Sequence, residues 1–263
     1  MKTREENLRQ FFGKDGKTVI LPIDHGTAIP VPGMDDPIGL IEETSPNVDG
    51  FVVNLGLALA AHEQLENTGL CLRTDCYKPV YGDNEDEGAY RIYSAEHAEM
   101  IGANAVMNML YVHHGHEAES FREAAELIGE SLDAEIPVIL ETLPFGIGRP
   151  DDYTPENIGF AVRAAAELGA DVVKTAFPTN GTVDDFKKIV NGSFVPVIVL
   201  GGAAMGDDKA LLSMVKMAMD AGASGIAVGR NVWQHPKPKS ITKALHAIVH
   251  GDDSVDSALK LMS

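Results

Sequence analysis

Eight short apolar runs alternate with amphipathic stretches along 263 residues, and no dinucleotide-binding glycine fingerprint interrupts them. Together with a length typical of one undivided barrel, this predicts an α/β fold: a single-domain (β/α)8 TIM barrel over residues 1–263. An open doubly wound sheet is the second choice, because eight units without that fingerprint suit closure better. The expected strands are Thr18–Ile23, Gly50–Val53, Leu70–Thr74, Ala103–Met109, Pro137–Glu141, Asp171–Thr175, Val195–Leu200 and Gly225–Val228. Each is a short, bounded apolar run, as a strand covered on both faces requires. Helical periodicity fills the gaps, most clearly at Glu117–Leu132, Thr154–Leu168, Thr182–Val190 and Asp207–Ala221. The glycines of "LGAD" and "AGAS", Gly169 and Gly222, mark helix C-termini that lead into strands. Asp75–Tyr93 carries turn formers and many charges, so it reads as a loop after the third strand, a lid or a subunit contact.

Composition narrows the classes of function. A formal net charge of −18 opposes non-specific contact with nucleic acid or an anionic membrane, so an anionic substrate must meet locally placed cations or backbone N–H groups. No apolar run approaches the roughly 18 residues of a membrane span. The charged "MKTREENLRQFFGKDGK" lacks an apolar signal core. Cys71 and Cys76 are too few for a disulfide framework and weak as a metal pair. A reduced, cytoplasmic protein is expected.

Chemistry in such a barrel gathers where the strands end. The first strand delivers Asp24 and His25, the fourth "YVHHGHE" with His113, His114 and His116, and the fifth Glu141. The sixth ends on Lys174, inside the apolar "GADVVKT". An ammonium ion prefers hydration, and lost hydration or neighbouring cations favour the neutral amine, a nucleophile that condenses with carbonyls. The bland alternative is a lysine that snorkels to the rim or pairs with Asp24 or Glu141. The seventh and eighth strands run into "LGGAAMG" and "VGRNVWQHP". There Gly201 and Gly202 allow close backbone approach, while Gly229 and Arg230 open a segment that favours an anion. The pair of pieces matches the phosphate site commonly built after strands seven and eight, and its presence beside Lys174 favours the covalent role.

With these pieces in place, "PIDHG" at 22–26, "GADVVKT" at 169–175, "PVIVLGG" at 196–202 and "GASGIAVGRNVWQHP" at 222–236 resemble the DhnA/DeoC-type class I aldolases. These include archaeal-type fructose-bisphosphate aldolases, aminodideoxyheptulosonate synthases and autoinducer-2 phosphate thiolases. The resemblance implies a Schiff base on Lys174, proton transfer or hydroxyl orientation by Asp24, and phosphate binding by Gly201, Gly202, Gly229 and Arg230. It also implies a homo-oligomer, since relatives form rings. Phe11, Phe12, Trp233 and the C-terminal "SVDSALKLMS" are candidate contacts that serve equally as internal packing. Asp24 serves otherwise as a loop cap, and His25 as substrate-binding or packed support.

One departure matters. Where the aldolase and synthase branches resemble "YPRG", with an acid/base tyrosine, this chain has "LPFG", and Leu143 takes the tyrosine's position. The expected replacements are His113, His114 or His116, because an imidazole suits proton transfer near neutral pH. The same cluster is also compatible with a structural role or a metal, though so compact a run rarely converges on one ion. Glu141 is another carrier, or a partner that holds Lys174. Tyr77, Tyr81 and Tyr90 are weaker candidates. The expected function is metal-free and cofactor-free cleavage or formation of a carbon–carbon bond in a phosphorylated keto-sugar, because the iminium itself is the electron sink. A transaldolase-like synthase or thiolase-like transferase is the alternative within the family. Outside it stand a phosphosugar isomerase and a phosphosugar-binding barrel.

Overall fold

The computed structural model describes residues 2–78 and 88–262. Its strands are β1 (Thr18–Pro22), β2 (Gly50–Val53), β3 (Gly69–Arg73), β4 (Asp75–Lys78), β5 (Gly88–Arg91), β6 (Ala105–Val112), β7 (Val138–Pro144), β8 (Val172–Thr175), β9 (Val197–Leu200) and β10 (Gly225–Ala227). Eight of them close into a parallel barrel in the order β1-β10-β9-β8-β7-β6-β3-β2, with β1 also paired to β2. All eight expected strands are therefore present. The fourth and fifth run three residues further than expected, to Val112 and Pro144.

Local chemistry explains the helices between them. Glu117–Asp133 buries Ser120, Ala124, Leu127, Ile128 and Ser131, the spacing of a single helical stripe. Pro155–Leu168 starts at Thr154, whose hydroxyl accepts from Asn157 N–H, and stops at Gly169, where φ is +116°. A side chain would be strained in that left-handed conformation. Val183–Gly192 opens with a reciprocal capping box between Thr182 and Asp185. Among the described residues, no helix is long and apolar enough to cross a membrane.

Inside the barrel, side chains two residues apart on each strand stack in layers. The lower layer is apolar, with Ile20, Val52, Cys71, Ile139, Val172 and Ile198 all buried. Phe11 closes this end from below. Gly50 and Gly69 make room for it, since a Cβ on either would lie 2.6 and 2.7 Å from its ring. Phe11 and Trp233, both candidate subunit contacts, are thus internal packing. The helix Arg4–Leu8 is pinned beneath the barrel by Arg4, whose Nε donates to Asp171 Oδ1 at 2.8 Å.

The segment expected as a loop after the third strand is instead partly a two-stranded antiparallel ribbon. β4 pairs with β5 from Asp75↔Arg91 to Lys78↔Gly88. Charges weighed against a core strand there, but the alternation Cys71, Arg73, Asp75, Tyr77 continues inward, and Asp75 meets its counter-ion on Arg73 two residues earlier. Arg91 ties the second strand to the neighbouring helix, 2.7 Å from Glu130 Oε1. Tyr81 lies outside the described residues, and Tyr90 is exposed.

Candidate active site

One layer above the apolar floor, the same two-residue alternation turns charged. Cys71 is followed inward by Arg73, Ile139 by Glu141 and Val172 by Lys174, and Glu141 stands directly opposite Lys174 in the β7–β8 register. Glu141 and Lys174 of this layer line an open cavity of about 1110 Å³ at the C-terminal ends of the strands. Lys174 is only 5% exposed, and its Nζ lies 2.8 Å from Glu141 Oε1 and 3.9 Å from Met107 Sδ. The other Glu141 oxygen, Oε2, accepts from Arg73 Nη1 at 2.6 Å. That Nη1 is also 3.5 Å from Asp24 Oδ2, while Asp24 Oδ1 is 3.3 Å from His25 Nδ1. Arg73 Nε donates to Asp75 Oδ1, and Asp75 Oδ2 accepts from Met109 N–H at 2.6 Å. Asp24 makes no side-chain capping bond to the turn that follows it, so the loop-cap reading does not describe it.

Two cations thus stand among three carboxylates, all buried. Burial alone would raise Asp24, yet its contact with His25 and the charges of Arg73 and Lys174 hold its carboxyl well below the usual range. Burial likewise opposes ionisation of Glu141, and Lys174 and Arg73 outweigh it, so this carboxyl too titrates low. Asp75 goes the other way, raised by burial despite Arg73. The site therefore keeps two ionised carboxylates around one amine.

Beyond β9 and β10, between Lys174 and Asp24, the cavity wall is partly backbone. A Cβ on Gly201 would fall 2.7 Å from Val228 Cγ1, and one on Gly229 would fall 2.8 Å from the Pro22 carbonyl oxygen. Both glycines therefore line the cavity without side chains, together with Gly202 and Arg230. Arg230 Nε is buried and has no hydrogen-bond partner among the described residues, as a donor kept for an anion would. Asn231, which sequence reasoning passed over, holds this wall together. Its amide donates to Gly201 O at 2.9 Å and Ala203 O at 3.0 Å, and its oxygen accepts from Met205 N–H at 2.8 Å.

The structure brings Lys174, Asp24, Glu141, His25, Gly201, Gly202, Gly229 and Arg230 to one cavity. It does not bring His113 or His114, the expected proton carriers, nor His116. β6 extends to Val112, its last inward side chain is Tyr111, and the chain then turns at His113 with φ +56°. That turn sends the His113 ring outward to stack on Phe160 at 4.9 Å, while His114 lies 4.6 Å from the Tyr111 ring. His116 pairs with Glu119 at 3.6 Å. Leu143 lines the cavity as the next inward residue above Glu141, so an apolar group stands where the related pattern has a phenol. Arg73, Asp75 and Tyr77 complete the cluster, with the Arg73 guanidinium 4.5 Å from the Tyr77 ring centre. Arg73 carried the same signal as Lys174, a lone cation in an apolar run, "GLCLRTD". Tyr153, also missed, lines the mouth but donates to Gly146 O at 2.7 Å and so fastens its own loop.

A buried lysine at the open end of a (β/α)8 barrel is a group able to attack carbonyl carbon. The chain belongs to the DeoC/LacD family of aldolases, whose model matches residues 18–235. It is 33% identical over 259 residues to fructose-bisphosphate aldolase class 1 of Halobacterium salinarum, covering 94% of this chain and 96% of that one. It is 32% identical over 247 residues to the 2-amino-3,7-dideoxy-D-threo-hept-6-ulosonate synthase of the same species, covering 93% and 91%. Among solved structures, an archaeal fructose-1,6-bisphosphate aldolase with its catalytic lysine covalently bound to the carbinolamine intermediate matches with a TM-score of 0.84. It is 29% identical, over 95% of this chain and all of that one.

Proposed function

We propose that this protein is a Schiff-base-forming class I aldolase that cleaves or forms a carbon–carbon bond in a phosphorylated keto-sugar, with Lys174 as the covalent nucleophile. One observation carries the reading: Lys174 is buried at the base of an open cavity with its nitrogen 2.8 Å from Glu141. The relatives' names support it, since a fructose-bisphosphate aldolase and a lysine-bound carbinolamine stand among them.

The geometry suggests a division of labour. Glu141 accepts the ammonium proton, and the amine lone pair adds to the substrate carbonyl carbon while the carbonyl oxygen takes up a proton and the nitrogen gives one up, leaving a neutral carbinolamine. That oxygen leaves as water after a second protonation, and the resulting iminium draws electrons from the neighbouring carbon–carbon bond. Asp24 takes the proton of the hydroxyl beyond that bond. The O–H electrons become the aldehyde C=O, and the carbon–carbon electrons pass into the enamine. Protonation and hydrolysis return the amine and release a three-carbon product such as dihydroxyacetone phosphate. Arg230 and the backbone at Gly201, Gly202 and Gly229 hold the phosphate.

Leu143 favours a second reading within the same chemistry. With no phenol above Glu141, a thiolase-like carbon–carbon transfer competes with simple cleavage. Both readings are tested by incubation with a panel of ketose mono- and bisphosphates, reduction by borohydride, and mass mapping of the adduct and products. Reduction onto Lys174 is expected. Turnover of any substrate without labelling of Lys174 would overturn the covalent mechanism and leave a phosphosugar isomerase.

A further inference from the structure

We infer that Arg73 is a positioning residue of this reaction: its buried guanidinium takes one oxygen from each of Glu141 and Asp24 and so keeps both as separate proton carriers around Lys174. The proposal rests on the Schiff-base reading and adds to it a residue that never touches substrate.

Arg73 is held through Nε and Nη1, while its Nη2 is buried with no hydrogen-bond partner among the described residues. It is 0% exposed, at the end of β3. Nε is fixed by Asp75, and Asp75 is fixed in turn by the Met109 N–H at 2.6 Å, so the guanidinium is tied to the backbone of the neighbouring strand. Its face is covered by the Tyr77 ring at 4.5 Å. This leaves Nη1 for the reaction side, 2.6 Å from Glu141 Oε2 and 3.5 Å from Asp24 Oδ2. Glu141 is thereby oriented with its free oxygen, Oε1, on the Lys174 nitrogen. Stability does not account for the arrangement. A buried ion cluster is often no more stabilising than apolar packing of similar volume, and the layer immediately beneath, with Cys71, Ile139 and Val172, is apolar. Charge begins at the level where Lys174 stands.

The electrostatic consequence is specific. The charged and titratable groups facing Arg73 are Asp24, with His25 behind it, Asp75 and Tyr77 from β4, Glu141 from β7 and Lys174 from β8, with Cys71 on its own strand. Without the guanidinium, Asp24 and Glu141 share a low-dielectric space with Lys174 as the one remaining cation. Neighbouring carboxylates in that situation do not both stay ionised to the same acidity. One would hold its proton to higher pH, and its step would slow there.

Dihydroxyacetone phosphate isolates the affected steps, because its enamine forms without any aldehyde. Solvent-deuterium exchange into its carbon-bound hydrogens is followed by NMR across pH, alongside borohydride trapping, for wild type, Arg73→Met and Arg73→Lys. Arg73→Met is expected still to label Lys174 at alkaline pH while the acid limb of exchange moves up by about 1–3 pH units. KM is expected to change by less than about threefold, since the phosphate wall is untouched. Arg73→Lys should restore part of the shift. Superimposable limbs for Arg73→Met and wild type, whatever the loss of rate, would overturn the proposal. If Arg73→Met does not fold, Asp75→Asn, which frees Nε, takes its place. Limbs for Asp75→Asn and Arg73→Lys that both coincide with wild type then overturn it. Absence of trapping in wild type with a ketose phosphate that it turns over refutes the Schiff-base reading itself, and this role with it. Trapping with an unmoved limb refutes only the role of Arg73.

Discussion

Glu141→Gln is the sharpest perturbation of this site, because it keeps shape and removes one charge. The two side chains of the Lys174–Glu141 pair are 6% and 11% exposed, so solvent screens them little. Removing one partner of such a pair costs about 3–5 kcal/mol, chiefly by leaving the other charge buried and uncompensated. Arg73, the other group on Glu141, keeps Asp75 and Asp24, which places the expected cost near the lower end, about 3 kcal/mol. For a chain of this size that corresponds to a fall in Tm of roughly 6–12 °C. The pH dependence has a definite sign. Glu141 titrates below its ordinary value of 4.5 in the folded protein, so its stabilisation is fully present above that pH and fades as the pH falls through the lower folded value. The Tm gap between wild type and variant should therefore be full at pH 7 and close on acidification, as measured by calorimetry across a pH series. Loss of the adjacent base should also slow borohydride trapping on Lys174 at neutral pH by about 10²–10⁴-fold. An unchanged Tm at pH 7, or a gap that widens towards acid, would refute this account of the pair.

Three further outcomes follow from the same geometry. Lys174→Met should abolish trapping and turnover while inorganic phosphate still binds, by calorimetric titration, because the glycine and Arg230 wall does not depend on the amine. Gly201→Ala forces a methyl to 2.7 Å from Val228. It should destabilise by about 1–3 kcal/mol in thermal unfolding and weaken phosphate binding more than it changes trapping at saturating substrate. His113→Ala and His114→Ala should each leave kcat within about twofold of wild type, since neither ring lines the cavity. A large loss of kcat in either would return the fourth-strand histidines to the proton path.

Much of the site was legible because burial makes charge conspicuous. Lys174 stood out as a cation in an apolar run, and Asp24, Glu141, Gly201, Gly202, Gly229 and Arg230 fell at strand ends, where barrels keep their chemistry. Arg73 offered the same signal and was passed over, because the charges that follow it read as a loop rather than as its counter-ions. The histidines misled for a different reason. The "HHGH" run sits just past a strand, but one strand's exact length and one left-handed residue at 113 decide whether its rings face the cavity or the outer helices.

By itself the sequence determined the eight strands of the barrel and their order along the chain, the closed α/β architecture and the amine at the sixth strand, since these follow from local periodicity and from the cost of burying charge. Only the tertiary structure decided who stands beside that amine. Glu141 reaches Lys174 through the β7–β8 register, and Arg73 reaches Glu141 past the intervening β6, 68 residues away along the chain. Both contacts depend on the common level at which inward layers of different strands meet, a property of the closed barrel rather than of any segment within it.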